Sequence, residues 1–164
     1  MDTKKLANQF ETKLSEKAGQ PRAFISPEDL TNLKGKPIYS AVFLTPESKQ
    51  QLINWVKQTM NGELLAKPFA HHMTIQFKPP GVNVPVGKLV NLKVVGWNAD
   101  DKCQAVAVEC PTELGCANAV PHVTVSCGPE GSPKDSNELL AREVKPASGP
   151  VLQGVVGVFG GEKG

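Results

Sequence analysis

The stretch PFAHHMTIQFKPP (68–80) is an apolar, strand-like run that holds two of the chain's three histidines side by side. The third histidine lies in AVPHVTVSCGP (119–129). Reading from His72 gives His-Met-Thr-Ile, and reading from His122 gives His-Val-Thr-Val. In a strand, successive side chains face opposite sides. His72, Thr74 and Gln76 therefore share one face, with Met73 and Ile75 on the other. His122, Thr124 and Ser126 do the same, opposite Val123 and Val125. The apolar faces are suited to a core, and the polar faces each offer an imidazole and a hydroxyl. Strict alternation turns Phe77 away from His72 unless the strand relaxes before Lys78-Pro79-Pro80. It also turns His71 away, which makes His71 a structural or rim residue.

The surrounding chain supplies the rest of a fold. Leu6, Phe10 and Leu14, spaced by four in a charged background, predict an amphipathic helix over 3–18. A turn-rich segment follows, with Ser26-Pro27-Glu28-Asp29 as a single helical turn. IYSAVFL (38–44) reads as a strand. Thr45 as N-cap and Pro46 in the first turn then open a helix whose apolar face carries Leu52, Trp55, Val56 and Met60, closed by Asn61-Gly62. VNLKVVGW (90–97) and CQAVAVEC (103–110) flank turn residues 98–102 and predict a hairpin. Ser132-Pro133 resembles the earlier helix start, and LQGVVGVF (152–159) is a last strand. Tyr39, Phe43, Trp55 and Trp97 are expected in the core. The segment 78–88, with three prolines and two glycines, fits a binding loop or a plain connector equally.

The resulting order is strand, helix, four strands, helix, strand. Each half holds one helix and one His-x-Thr strand. The predicted fold class is α+β, with two largely antiparallel sheets forming a central cleft and helices outside. Residues 1–37 are expected to pack on a catalytic domain of residues 38–164, a single domain overall.

Composition narrows the function. A net charge of +2, with both signs interspersed, leaves no polyanion-binding tail. No apolar run is long enough for a membrane span, and the N-terminal stretch lacks the apolar region of a signal peptide. No prenylation cysteine ends the chain. The cytoplasm is the expected compartment, and no membrane partner is expected. The cysteines at 103, 110, 116 and 127 show no Cys-x-x-Cys spacing. They read as small buried hydrophobes, so neither a metal nor any other cofactor is expected.

Two imidazoles and two hydroxyls across a cleft suit attack on a phosphodiester. A neutral imidazole takes a proton from water while an imidazolium gives one to the leaving oxygen. Threonine hydroxyls donate to the non-bridging oxygens, where charge accumulates. One His-x-Thr alone is usually just a polar strand face. With eight threonines in 164 residues, Thr at +2 from two of three histidines has a chance probability below roughly 1%.

The paired motifs resemble the 2H phosphoesterases, a bilobal family, over about residues 38–160. HMTIQF and PHVTVSCG are most similar to its 2′,3′-cyclic nucleotide 3′-phosphodiesterase branch, of the myelin enzyme type, where the phenylalanine ending the first motif stacks on the base. The resemblance implies hydrolysis of 2′,3′-cyclic nucleotides or RNA 3′ ends to 2′-phosphates by a metal-independent monomer. In that scheme His72 is the acid, His122 the base, and Thr74 and Thr124 hold the phosphate. Phe77 would bind the base. Gln76 and Ser126 are further substrate-binding candidates by parity. Other 2H branches cleave 2′–5′ linked or cyclic oligonucleotides, and an inactive nucleotide- or RNA-binding module is a third reading. Spacing alone is symmetric between the two histidines.

Overall fold

The computed structural model describes residues 21–60, 63–117 and 120–163. The helix expected over 3–18 and the Asn61-Gly62 helix end lie outside the described residues. Among the described residues there are nine strands: β1 (Arg22–Phe24), β2 (Leu33–Leu44), β3 (Lys67–Pro68), β4 (His72–Phe77), β5 (Leu89–Ala99), β6 (Cys103–Val108), β7 (His122–Cys127), β8 (Lys145–Pro146) and β9 (Val151–Glu162). The described residues also form the α-helices α1 (Pro46–Thr59) and α2 (Asp135–Arg142). The α+β class is correct, and the main strands and helices follow the expected order.

Local chemistry accounts for several boundaries. The Thr45 hydroxyl accepts the Ser48 N–H at 3.2 Å, and Pro46 occupies the first turn of α1. Asp100 Oδ1 accepts the N–H groups of Lys102 and Cys103, both at 2.9 Å, and so tightens the β5–β6 hairpin. The start of α2 differs from expectation. Ser132 does not cap it; the helix begins at Asp135, whose carboxylate reaches back to the Ser132 N–H at 2.9 Å.

The expected pair of sheets takes a different form. The strands pair in the order β1-β9-β2-β4-β7-β6-β5-β8, and β5 also pairs with β9, so the sheet closes on itself. The two halves of this closed sheet, β1-β9-β2-β4 and β7-β6-β5-β8, meet at β4–β7 through the registered pair Met73 with Val123, and again at β5–β9 from Leu89–Val155 to Lys93–Val151. These pairings satisfy backbone groups that two separate sheets would leave at buried edges. β1, which carried no clear sequence signal, adds to β9, and β2 begins at Leu33 rather than at residue 38.

Met73, Ile75, Val123 and Val125 point into the main core with Val42, Leu52, Val56, Leu92 and Leu152. Each such side chain contributes roughly 1.5–3 kcal/mol on burial, so the apolar half of each motif anchors the polar half. Phe43 is fully buried, while Trp55 and Trp97 pack at the core's margin. The 78–88 segment lies along β9, with the Gly87 N–H on the Val156 carbonyl at 2.8 Å and Val84 and Val86 against apolar clusters.

The cysteine expectation is corrected in part. Cys103 and Cys127 are free and buried, but Cys110 and Cys116 form a disulfide. The turn Thr112–Leu114 tucks Leu114 into the core and brings the two cysteines together, a contact their spacing does not announce. No described helix is long and apolar enough to cross a membrane. Among the described residues, no three His, Cys, Asp or Glu side chains cluster as metal ligands.

Candidate active site

A cavity of about 460 Å³ opens where the two halves meet at β4–β7, lined by Phe69, His72, Thr74, Phe77, His122, Thr124, Pro133, Lys134 and Asn137. All four motif side chains reach it. Its size falls within the range of pockets that hold one small ligand.

Two β-bulges decide which motif residues reach the cavity. Against β2, Gln76 pairs with Ser40 but Thr74 pairs with Ala41, so Ile75 is an extra residue in β4. Against β6, Ser126 pairs with Gln104 but Thr124 pairs with Ala105, so Val125 is an extra residue in β7. Each bulge follows the threonine and shifts the alternation by one. Phe77 therefore joins His72 and Thr74 in the cavity, with 64% of its surface exposed. The same shift corrects the other two candidates. Gln76 is outside the cavity lining, and its side-chain Oε1 accepts the Asn83 Nδ2–H at 3.4 Å. Ser126 is fully buried; its hydroxyl donates to Gln104 Oε1 at 2.5 Å and accepts the Leu65 N–H at 2.9 Å.

His71 also departs from the alternation reading. Ala70, buried, has φ +59°, a left-handed backbone that a non-glycine residue adopts at a cost of about 1–3 kcal/mol. The kink hands the chain from one neighbour to another: the Phe69 and Ala70 N–H groups bond to β7 carbonyls, whereas the His71 carbonyl accepts from Leu44 of β2. His71 thus precedes the regular strand. Its ring stacks on His72 with centroids 4.5 Å apart, and the two Nδ1 atoms lie 2.5 Å from each other. Tyr39 covers the His72 ring at 4.9 Å, so this residue, expected in the core, is half-buried beside the site.

His122 is held differently. Its Nδ1 lies 2.8 Å from the Val120 carbonyl oxygen. A carbonyl only accepts, so His122 Nδ1 carries the proton and a neutral ring leaves Nε2 as the lone pair. This breaks the symmetry that spacing left between the histidines. The geometry equips neutral His122 to take a proton at Nε2.

Burial disfavours the charged form of all three imidazoles. It holds His72 well below 6.5, with further lowering by the His71 and His122 charges. His71 is brought down to about 4 by burial and then by Lys49. Burial also lowers His122, partly offset by its bond to the Val120 carbonyl.

The threonines differ as well. The Thr74 hydroxyl has no hydrogen-bond partner among the described residues and lines the cavity, where it can meet a ligand. Thr124 Oγ1 lies 2.8 Å from the buried Ser136 hydroxyl of α2, which orients it. Sequence reasoning missed Phe69, Pro133, Lys134, Ser136 and Asn137, and read His71 as a structural or rim residue. For Lys134 and Asn137 there was a usable signal: spacing of three at a helix start puts both on one face.

No curated protein matches the chain. The family model of the fungal tRNA ligase phosphodiesterase domain matches residues 69–155, a span that includes every residue lining the cavity. More than half of the sequence being matched, the chain belongs to the fungal tRNA ligase phosphodiesterase domain family, a family of 2′,3′-cyclic phosphodiesterases of the 2H phosphoesterase type.

Proposed function

We propose that this protein hydrolyses 2′,3′-cyclic phosphates at RNA 3′ ends or on nucleotides to 2′-phosphates, without a metal ion. The observation that carries this reading is the convergence of His72, Thr74, His122 and Thr124 on one cavity, with His122 oriented by the Val120 carbonyl. His122 Nε2 takes a proton from water as its oxygen bonds to phosphorus. The bond from phosphorus to O3′ breaks, and His72 gives the Nε2 proton of its imidazolium to O3′. Water and the cyclic diester become a 2′-phosphate and a 3′-hydroxyl. His122 then loses a proton to solvent and His72 regains one. Thr74 and Thr124 donate to the non-bridging oxygens. Phe77 stacks on the terminal base, and such stacking is worth about 1–3 kcal/mol per base. In this reading the parts of the sheet on either side of β4–β7 act as two lobes around the substrate, residues 38–164 form the catalytic unit, and the protein works as a monomer.

The test is hydrolysis of 2′,3′-cyclic AMP and of an oligoribonucleotide with a 2′,3′-cyclic phosphate end, both in EDTA. Phosphorus NMR identifies the products. Exclusive 2′-phosphate, with turnover reduced at least ~100-fold in both His72→Ala and His122→Ala, is the expected result. No turnover of either substrate by folded wild-type protein refutes the proposal.

A further inference from the structure

The proposed reaction uses His72 and His122 but leaves the third histidine without a task. His71 is held against His72 by a left-handed kink at Ala70, a ring stack of 4.5 Å and an Nδ1–Nδ1 separation of 2.5 Å. Two imidazole nitrogens at that distance form a hydrogen bond only if one carries a proton and the other presents a lone pair. An imidazolium at His72 has N–H groups on both nitrogens. When His72 is ready to act as an acid, its Nδ1–H must therefore donate to His71, and His71 must be neutral with its Nδ1 bare.

We propose that His71 is a positioning residue that acts through His72: it accepts the Nδ1 proton of His72 and thereby aims Nε2–H at the leaving oxygen. This rests on the phosphodiesterase reading given above. The role is the one a carboxylate plays for a catalytic histidine in other hydrolases. Here a neutral ring fills it. Its partners on each side fit that task. Tyr39 of β2 lies flat on His72 at 4.9 Å, and Phe69 meets His71 edge-on at 5.9 Å. Lys49 of α1 places a positive charge near His71, and His122 of β7 places one near His72 when protonated. The first keeps His71 unprotonated, as an acceptor must be. The proton stays balanced through turnover. After Nε2 has given its proton to O3′, His72 is neutral and still donates from Nδ1 to His71. It regains the Nε2 proton from solvent without turning its ring.

The His122 contact fits the same scheme. Its Nδ1–H is held by a carbonyl, and its Nε2 is bare in the neutral ring. Each imidazole thus has its Nδ1 engaged by the protein and its Nε2 left for substrate. The two differ in what faces Nδ1: a backbone oxygen for the base, and a second imidazole for the acid.

Two measurements test the proposal separately from the activity. In wild-type protein, long-range nitrogen NMR of the three histidines at neutral pH is expected to show the shared Nδ1 proton on His72, a bare Nδ1 on His71, and the Nδ1–H tautomer at His122. An Nδ1 proton on His71, or both paired rings protonated only at Nε2, would overturn the proposal, whether or not the protein turns over any substrate. The kinetic test compares His71→Ala with His71→Asn, whose amide oxygen can take the place of the Nδ1 acceptor. His71→Ala is expected to lower kcat at least ~10-fold with KM within about two-fold, and to move the limb of the rate profile set by His72 to lower pH. His71→Asn is expected to restore most of both. An unchanged pH profile and kcat in His71→Ala would overturn the proposal. So would equal losses in the two variants carried by KM. If wild-type protein lacks turnover, the function proposed above fails, and the NMR result alone then decides the His71–His72 bond.

Discussion

Acid destabilisation is the prediction that draws most directly on the three histidines. An unfolded histidine titrates near 6.5, whereas His71 in the folded protein is brought to about 4 by burial and by Lys49. Between those values the unfolded chain binds more protons, so stability falls as pH falls. His71's contribution is complete above pH 6.5 and is lost progressively on the way down to 4. The full difference corresponds to roughly 3.4 kcal/mol, of which about 2.5 kcal/mol is gone by pH 4.5. His72 and His122 shift in the same direction and add to the loss. Asp29 and Asp100, whose carboxyls are held below 3.8, lose their contributions only at lower pH, which leaves the window from 7 to 4.5 clear of them. Urea unfolding at pH 7.0 and 4.5, read by far-UV circular dichroism, measures the change. Wild type is expected to lose at least ~2.5 kcal/mol across this window. His71→Asn, which cannot titrate, is expected to lose about 2.5 kcal/mol less than wild type. Equal losses in the two proteins would refute the reasoning, because His71 would then be as easily charged in the fold as in the unfolded chain.

Three further outcomes are expected. Ser136→Ala removes the hydroxyl that orients Thr124 at 2.8 Å; about 1 kcal/mol of lost orientation should lower kcat roughly five-fold, measured on the cyclic substrate. Gly157→Ala would place a Cβ 2.5 Å from the Phe24 carbonyl oxygen and 2.9 Å from Ile25 Cγ2, and the crowding should cost about 1–3 kcal/mol in urea unfolding. Replacing both Cys110 and Cys116 by serine opens the short loop that carries buried Leu114; it should cost about 2 kcal/mol, with a matching loss when wild type is reduced.

The repeated tetrapeptide was enough to place two half-polar strands, and the motif chemistry pointed to a phosphodiester. Alternation in a strand is a local property, and it held for His72, Met73, Thr74 and Ile75. The same was true from His122 to Thr124. Thr45 and Pro46 likewise marked the start of α1 by bonds that form within one turn. Tertiary pairing decided the rest. The extra residues Ile75 and Val125 exist only relative to β2 and β6, so no reading of β4 or β7 alone could bring Phe77 in and send Ser126 out. The Ala70 kink arises because the chain leaves β7 for β2 at that point, and it turns His71 onto His72. The Val120 carbonyl that fixes the His122 tautomer, and the Ser136 hydroxyl beside Thr124, belong to segments whose approach is set by packing. Sequence determined which side chains were available for the chemistry, because residue type and strand period are carried by the chain itself. Register, kinks and hydrogen-bond partners depend on what lies across from each strand, and only the folded protein decided those.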